Sequence, residues 1–132
     1  MGWESPDLYS QPEAFGLRVI GELNDPEACY SFRDLVVWQH EETGMIYYAT
    51  DSGCSCPSPF EDFTSLDKAT EVRFLNDFID ALEDYFNAVA PYTGDYDWRY
   101  TWNSEDLPPA FASLKADALE LFRLVREAYV RK

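Results

Sequence analysis

Phe32-Arg33-Asp34-Leu35-Val36-Val37-Trp38-Gln39-His40, then Glu41-Glu42-Thr43-Gly44, then Met45-Ile46-Tyr47-Tyr48-Ala49-Thr50 is the stretch whose reading decides the fold. Its two arms are rich in β-branched and aromatic residues, which suit a pleated, packed surface. The four residues between them form a short polar loop with glycine last, where a hairpin often needs a positive φ. The segment is expected to be a β-hairpin.

On the N-terminal side, Leu17-Arg18-Val19-Ile20-Gly21-Glu22-Leu23 reads as a further strand, with Leu17, Val19 and Leu23 expected on one face. Asn24-Asp25-Pro26-Glu27 reads as the turn into the hairpin. The first sixteen residues, broken by Pro6 and Pro12, are expected to wrap the domain as turns or a short helix, anchored by Trp3, Tyr9 and Phe15.

On the C-terminal side the apolar period changes to three or four. Val72, Leu75, Phe78, Ile79, Leu82, Phe86 and Val89 mark the buried face of a helix over 70–90, which Pro91 and Gly94 end. Arg73, Asp77, Asp80, Asp84 and Asn87 fall on its opposite face. A second helix, over 108–131, follows Ser104-Glu105-Asp106-Leu107-Pro108-Pro109, a run of acids and prolines suited to a helix N-terminus. Phe111, Leu114, Ala118, Leu121, Phe122, Val125 and Tyr129 form its apolar stripe. Between the helices, Tyr96-Asp97-Trp98-Arg99-Tyr100-Thr101-Trp102 alternates aromatic and polar residues and reads as a strand over 95–102. Strands first and helices after argue one α+β domain of 132 residues. It is expected to be a small antiparallel sheet over 17–52, covered on one face by two amphipathic helices.

The chain carries 25 acids against 10 bases, for a net charge of −15. The balance is uneven: 22 acids and five bases precede Leu107, and three acids and five bases follow it. Such a chain repels nucleic-acid phosphates and anionic membranes at long range, so direct nucleic-acid or membrane binding is not expected. A basic protein surface is the partner its charge favours. No apolar run reaches the ~20 residues of a membrane helix. The first residues lack the basic start and apolar stretch of a signal peptide. With three cysteines, Cys29, Cys54 and Cys56, reduced thiols and a cytoplasmic setting are expected.

The densest unusual stretch is Asp51-Ser52-Gly53-Cys54-Ser55-Cys56-Pro57-Ser58-Pro59-Phe60-Glu61-Asp62-Phe63, expected as a stiff loop over 53–66. Cys29, His40, Cys54 and Cys56 supply four zinc ligands by count, but Cys-x-Cys is closer than the usual two-to-four spacing. A reactive thiol needs nearby positive charge, and the loop is flanked by Asp51, Glu61 and Asp62. A recognition loop presenting Ser52, Ser55 and Ser58 is a third reading. Packing favours a structural role. Gly53 and Pro57 shape the loop, Cys54 and Cys56 serve as small buried residues, and Phe60 and Phe63 plug the core beneath. No catalytic residue, metal or cofactor is assigned.

Two surfaces remain as partner-binding candidates. One is the aromatic row Tyr96, Trp98, Tyr100 and Trp102, residue types enriched at binding hot spots. The other is the acidic row Asp77, Asp80 and Asp84, whose spacing along a helix imitates a row of phosphates. Two further readings stand beside protein binding: an acidic nucleic-acid mimic or toxin antagonist acting on a DNA- or RNA-handling enzyme, and a cysteine-based metal or thiol protein.

The run from Tyr47 through Phe63, with its Asp-Ser-Gly-Cys-Ser-Cys-Pro-x-Pro-Phe-Glu-Asp motif, resembles a family of small uncharacterised proteins. They are encoded by actinobacteria-infecting bacteriophages and by actinobacteria. The opening residues Met1 to Tyr9 are similar in style. The resemblance covers the first half of the chain and implies a phage or prophage setting. That family has no assigned activity, so it implies no catalytic residues. A phage setting makes a host protein, bound in the host cytoplasm, the expected partner.

Overall fold

A computed structural model of the chain describes residues 6–24, 31–54, 60, 63–89 and 109–131. Four strands, β1 (Leu17–Asn24), β2 (Ser31–His40), β3 (Ile46–Cys54) and β4 (Thr70–Val72), pair in the order β1-β2-β3-β4. Every pairing is antiparallel. Two helices follow, α1 (Leu75–Val89) and α2 (Pro109–Arg131), completing a small α+β fold. The hairpin forms as expected. His40 N–H donates to Met45 O at 2.8 Å, Gly44 N–H donates to His40 O at 2.9 Å, and Gly44 takes φ 75°. That left-handed backbone is what reserves the loop's last position for glycine.

β2 shows why the sheet has two covered faces. Asp34, Leu35, Val36, Val37 and Trp38 are all buried, so the strand is enclosed above and below. Leu35 and Val37 point to the helices, where Phe78, Leu82 and Tyr85 of α1 and Leu114, Ala118, Leu121 and Val125 of α2 complete one core. Val36 and Trp38 point the other way, into a second core with Leu8, Leu17, Ala49 and Phe60. The helices cover one face, as expected. The opposite face is covered too, by the N-terminal segment, which wraps it through Leu8, Tyr9 and Phe15, and by Phe60, Phe63, Leu66 and Ala69. Leu8 N–H donates to Phe63 O at 2.9 Å, tying those two coverings together. A 3₁₀ turn at Pro12–Phe15 then leads into β1.

β1 departs from simple alternation. Its register against β2 shifts between Val19 and Gly21, so Ile20 is an extra residue, a β-bulge. The bulge swaps the faces of everything after it. Leu17 belongs to the Trp38 core and Leu23 to the helix core, whereas one face was expected for both. Val19, expected with them, is 43% exposed.

The helix expected over 70–90 begins later. Thr70–Val72 instead forms β4, with Val72 opposite Ile46, Glu71 opposite Tyr47 and Thr70 opposite Tyr48. The helix starts at Leu75 because Asp77, its third residue, reaches back to the N-terminus. The Asp77 Oδ2 accepts from Arg73 N–H at 3.1 Å and from Phe74 N–H at 3.0 Å. That satisfies donors a helix start otherwise leaves unpaired. The buried stripe of α1 is turned slightly from the expected one. Ala81 and Tyr85 are inside, and Ile79 is 36% exposed. On α2 the expected Leu114, Ala118, Leu121 and Val125 are buried, with Phe122 and Tyr129 partly so. Phe122 stacks on Phe78 at 6.5 Å. The side chain of Phe111 lies outside the described residues, as do Trp3 and the turn at 25–30.

Candidate functional site

The first residues of the sequence motif form the end of β3, beside α1. Gly53 and Cys54 belong to β3 rather than to the loop, opposite Phe32 and Ser31. The strand can extend that far because Asp51 fastens the chain on both sides of the motif. The Asp51 Oδ1 accepts from Ser52 N–H at 3.0 Å, and Oδ2 accepts from Phe60 N–H at 2.8 Å. A single carboxylate thus closes the span from residue 52 to residue 60. Directly across the ladder stands Asp34, a like charge. Opposed carboxylates destabilise a sheet unless donors stabilise them. Here Asn24 Nδ2 donates to Asp34 Oδ1 at 2.9 Å while backbone N–H groups serve Asp51.

Phe60 sits where packing prevails over backbone preference. Its φ is 63°, a left-handed value that costs a bulky residue of order 1–3 kcal/mol. The ring is fully buried. It stacks on Tyr9 at 5.3 Å, meets Phe63 edge-on at 5.0 Å and meets Trp38 edge-on at 6.2 Å. Phe63 itself is half-buried and its N–H donates to Phe60 O at 3.0 Å. Tyr9 OH donates to Glu22 Oε2 at 3.0 Å. Burial, that hydrogen bond and the charges of Glu22 and Asp34 push the Tyr9 hydroxyl up to about 12. The Tyr47 hydroxyl is raised as well, by burial and by Glu71 opposite it.

His40, one of four ligand candidates, stands at the far end of the hairpin from Cys54. Its Nδ1 accepts from the Glu42 and Thr43 N–H groups at 3.2 and 3.3 Å, which holds the turn. Cys54 lies at the opposite end of β3 from that turn, so strand geometry separates the two. Cys29, Cys56 and Pro57, and the side chain of Cys54, lie outside the described residues. Among the described residues no three His, Cys, Asp or Glu side chains converge as a metal site would require. The aromatic row Tyr96, Trp98, Tyr100 and Trp102 also falls outside them.

The acidic row is partly broken up by its own chemistry. Asp77 is spent on the helix cap, while Asp80 and Asp84 are exposed on the outer side of α1. Neither has an ion pair among the described residues. Asp84 also borders a shallow cleft of about 210 Å³, lined by Arg33, Thr50, Asp51, Ser52 and Tyr85. Tyr85 fixes its wall by donating from its hydroxyl to Arg33 O at 2.9 Å. Arg33, Tyr85 and the clasping role of Asp51 were not singled out from sequence. An Asp directly before Ser-Gly at a strand end was the available signal for the last, since Asp bonds its neighbouring backbone readily.

A four-stranded antiparallel sheet between two helices and an irregular clasp defines the chain as a small α+β protein. Residues 6–97 match the family described as Domain of unknown function (DUF7574), and the chain belongs to that family. Neither a curated protein nor a solved structure matches it. The matched region spans all four strands and α1, whereas α2, which contributes Leu114, Ala118, Leu121 and Val125 to the helix core, follows it.

Proposed function

We propose that this protein works by binding rather than by catalysis, and that its partner is a protein with a basic surface. The observation that carries the reading is the outer side of α1. Asp80 and Asp84 stand exposed there without ion pairs among the described residues, in a chain of net charge −15. Charge of one sign draws an oppositely charged surface and sets partner sign more than partner identity. The resemblance of Tyr47–Phe63 to proteins of actinobacteria-infecting phages supports a host protein as that partner, in takeover of the host or defeat of its defences.

The test is capture from an actinobacterial lysate by the wild-type chain and by an Asp80→Asn/Asp84→Asn double variant. Asp77 is left intact because its carboxylate caps α1. The expected result is a basic protein retained by the wild type, released by added salt and lost by the variant. Equal retention by both proteins would overturn the acidic-face reading. Addition of duplex DNA tests the nucleic-acid-mimic version, in which DNA competes for the same partner.

A further inference from the structure

We propose that His40 is an acid-sensitive joint: its neutral ring holds the hairpin turn against the entry to β1, and protonation of the ring releases the turn. The proposal goes beyond the binding reading above and does not depend on it. His40 is the last residue of β2 and the one imidazole in the chain. Its Nδ1 accepts from two backbone N–H groups of the turn, Glu42 at 3.2 Å and Thr43 at 3.3 Å. A ring nitrogen that accepts carries no proton, so the neutral ring is protonated on Nε2. That other edge lies on the backbone of Gly16, where a Cβ would stand 2.9 Å from Nε2 and 3.3 Å from Cε1. Gly16, at φ 73°, closes the 3₁₀ turn before β1, and its carbonyl accepts from Glu41 N–H at 2.9 Å. One ring therefore braces two pieces of chain. The piece that ends at Gly16 covers the Trp38 core through Leu8, Tyr9 and Phe15.

Protonation reverses the first of these contacts. Nδ1 becomes a donor and has no lone pair left for the two N–H groups in front of it. Either the ring turns away or the turn opens, and in both cases Glu42 and Thr43 lose their acceptor. The charged groups on the elements packed round the ring are Glu41 and Glu42 of the turn, Glu13 of the 3₁₀ turn and Arg18 of β1. Arg18 is held by Gln39 Oε1 at 2.7 Å. The three carboxylates favour a charged ring, whereas the two N–H groups favour a neutral one. These opposed preferences confine the effect of acid to the turn. Strand pairing does not pass through the ring, because the bond that closes the hairpin, His40 N–H to Met45 O at 2.8 Å, is backbone alone. The range over which an imidazole changes charge, about pH 5 to 8, is where the joint acts.

The experiment is an NMR titration of the full chain from about pH 8 to about pH 5, the span of imidazole titration. It reads the imidazole nitrogens and amide hydrogen exchange, each amide's rate being taken relative to unstructured chain at the same pH. At the upper end the ring nitrogens should show a neutral ring protonated on Nε2. On acidification the protection of the Glu42 and Thr43 amides should fall at least threefold with the midpoint of the imidazole, while Leu23 and Val37 amides stay protected. His40→Asn supplies the control, because its side-chain oxygen accepts from nearby backbone N–H groups whatever the pH. That variant should keep the Glu42 and Thr43 protection at both ends of the titration. A neutral ring protonated on Nδ1, or unchanged protection on acidification, would overturn the proposal. An equal acid loss in His40→Asn would do the same, since the glutamates would then be its cause. Parallel loss at Leu23 and Val37 would also overturn it, being acid unfolding of the sheet rather than release of a joint.

Discussion

Leu35 and Val37 lie against two long helices, whereas Val36 and Trp38, their neighbours in the same strand, lie against irregular chain. The helix side is a broad layer of mostly aliphatic contacts, shared among α1, α2 and all four strands. The opposite side is a smaller aromatic cluster that turns on one ring, Phe60, touching Tyr9, Trp38 and Phe63. The helix side spreads its stabilisation over many side chains. The clasp side concentrates it and places a strained backbone, a like-charge pair and an unpartnered indole there. The Trp38 Nε1 is buried with no hydrogen-bond partner among the described residues, a flaw an aliphatic core does not risk. The difference teaches that the sheet and helices can hold together while the clasp opens.

The sharpest way to break that comparison is Phe60→Ala. Removing a buried phenylalanine costs about 3–5 kcal/mol, read as a lowered urea midpoint. Hydrogen exchange should speed up at the Leu8 amide, which bonds Phe63, while Leu23 and Val37 amides stay protected. Equal loss of protection at all three would mean the two layers open as one unit.

Gly21→Ala probes the helix side. A Cβ there meets Leu121 Cδ1, the end of a flexible side chain, at 2.7 Å, so that methyl group must shift. Because it can turn aside, the cost is about 1 kcal/mol, the low end for overpacking. In a double-mutant cycle with Leu121→Ala the two changes should couple by about 1 kcal/mol, because the truncated Leu121 leaves room. Strict additivity would show that the contact does not limit the packing.

The smallest effect is one of pH. The Tyr9 hydroxyl titrates at about 12 in the fold and at its ordinary 10 in the unfolded chain. The native state therefore holds its proton more tightly between those values. The contribution is whole below pH 10 and is lost as pH rises toward 12. Stability measured across that window should fall less steeply in Tyr9→Phe than in the wild type. Identical slopes would remove Tyr9 from the account.

How much of this was legible in the residues follows from the size of each signal. The hairpin and α2 were legible because each satisfies several rules at once: strand-forming arms around a loop ending in Gly44, and an apolar stripe after an acid-and-proline start. β4 was not, because three residues carry too little alternation to register. Val72 also lies three residues before Leu75, a spacing that mimics the next turn of a helix. The bulge at Ile20 was hidden because Leu17, Val19 and Leu23 alternate correctly on paper; only pairing with β2 reveals the extra residue. The second core was legible only in pieces: Tyr9, Phe15, Phe60 and Phe63 were each expected to pack, but no period joins them into one layer. At the candidate site, charge located Asp80 and Asp84. Asp77 and Asp51 looked like further acids, although their work is to bind backbone N–H groups. Composition counts a carboxylate in a cap and one in solvent alike.

The clasp at Asp51 has a consequence for protein engineering. Its carboxylate fixes Ser52 and Phe60, the two ends of the span. Doubling the length of a flexible connection costs only about 0.6 kcal/mol in closure entropy. An insertion between 55 and 59, after the last β3 residue Cys54, should therefore be tolerated, with the sheet as chassis and Asp51 as its latch.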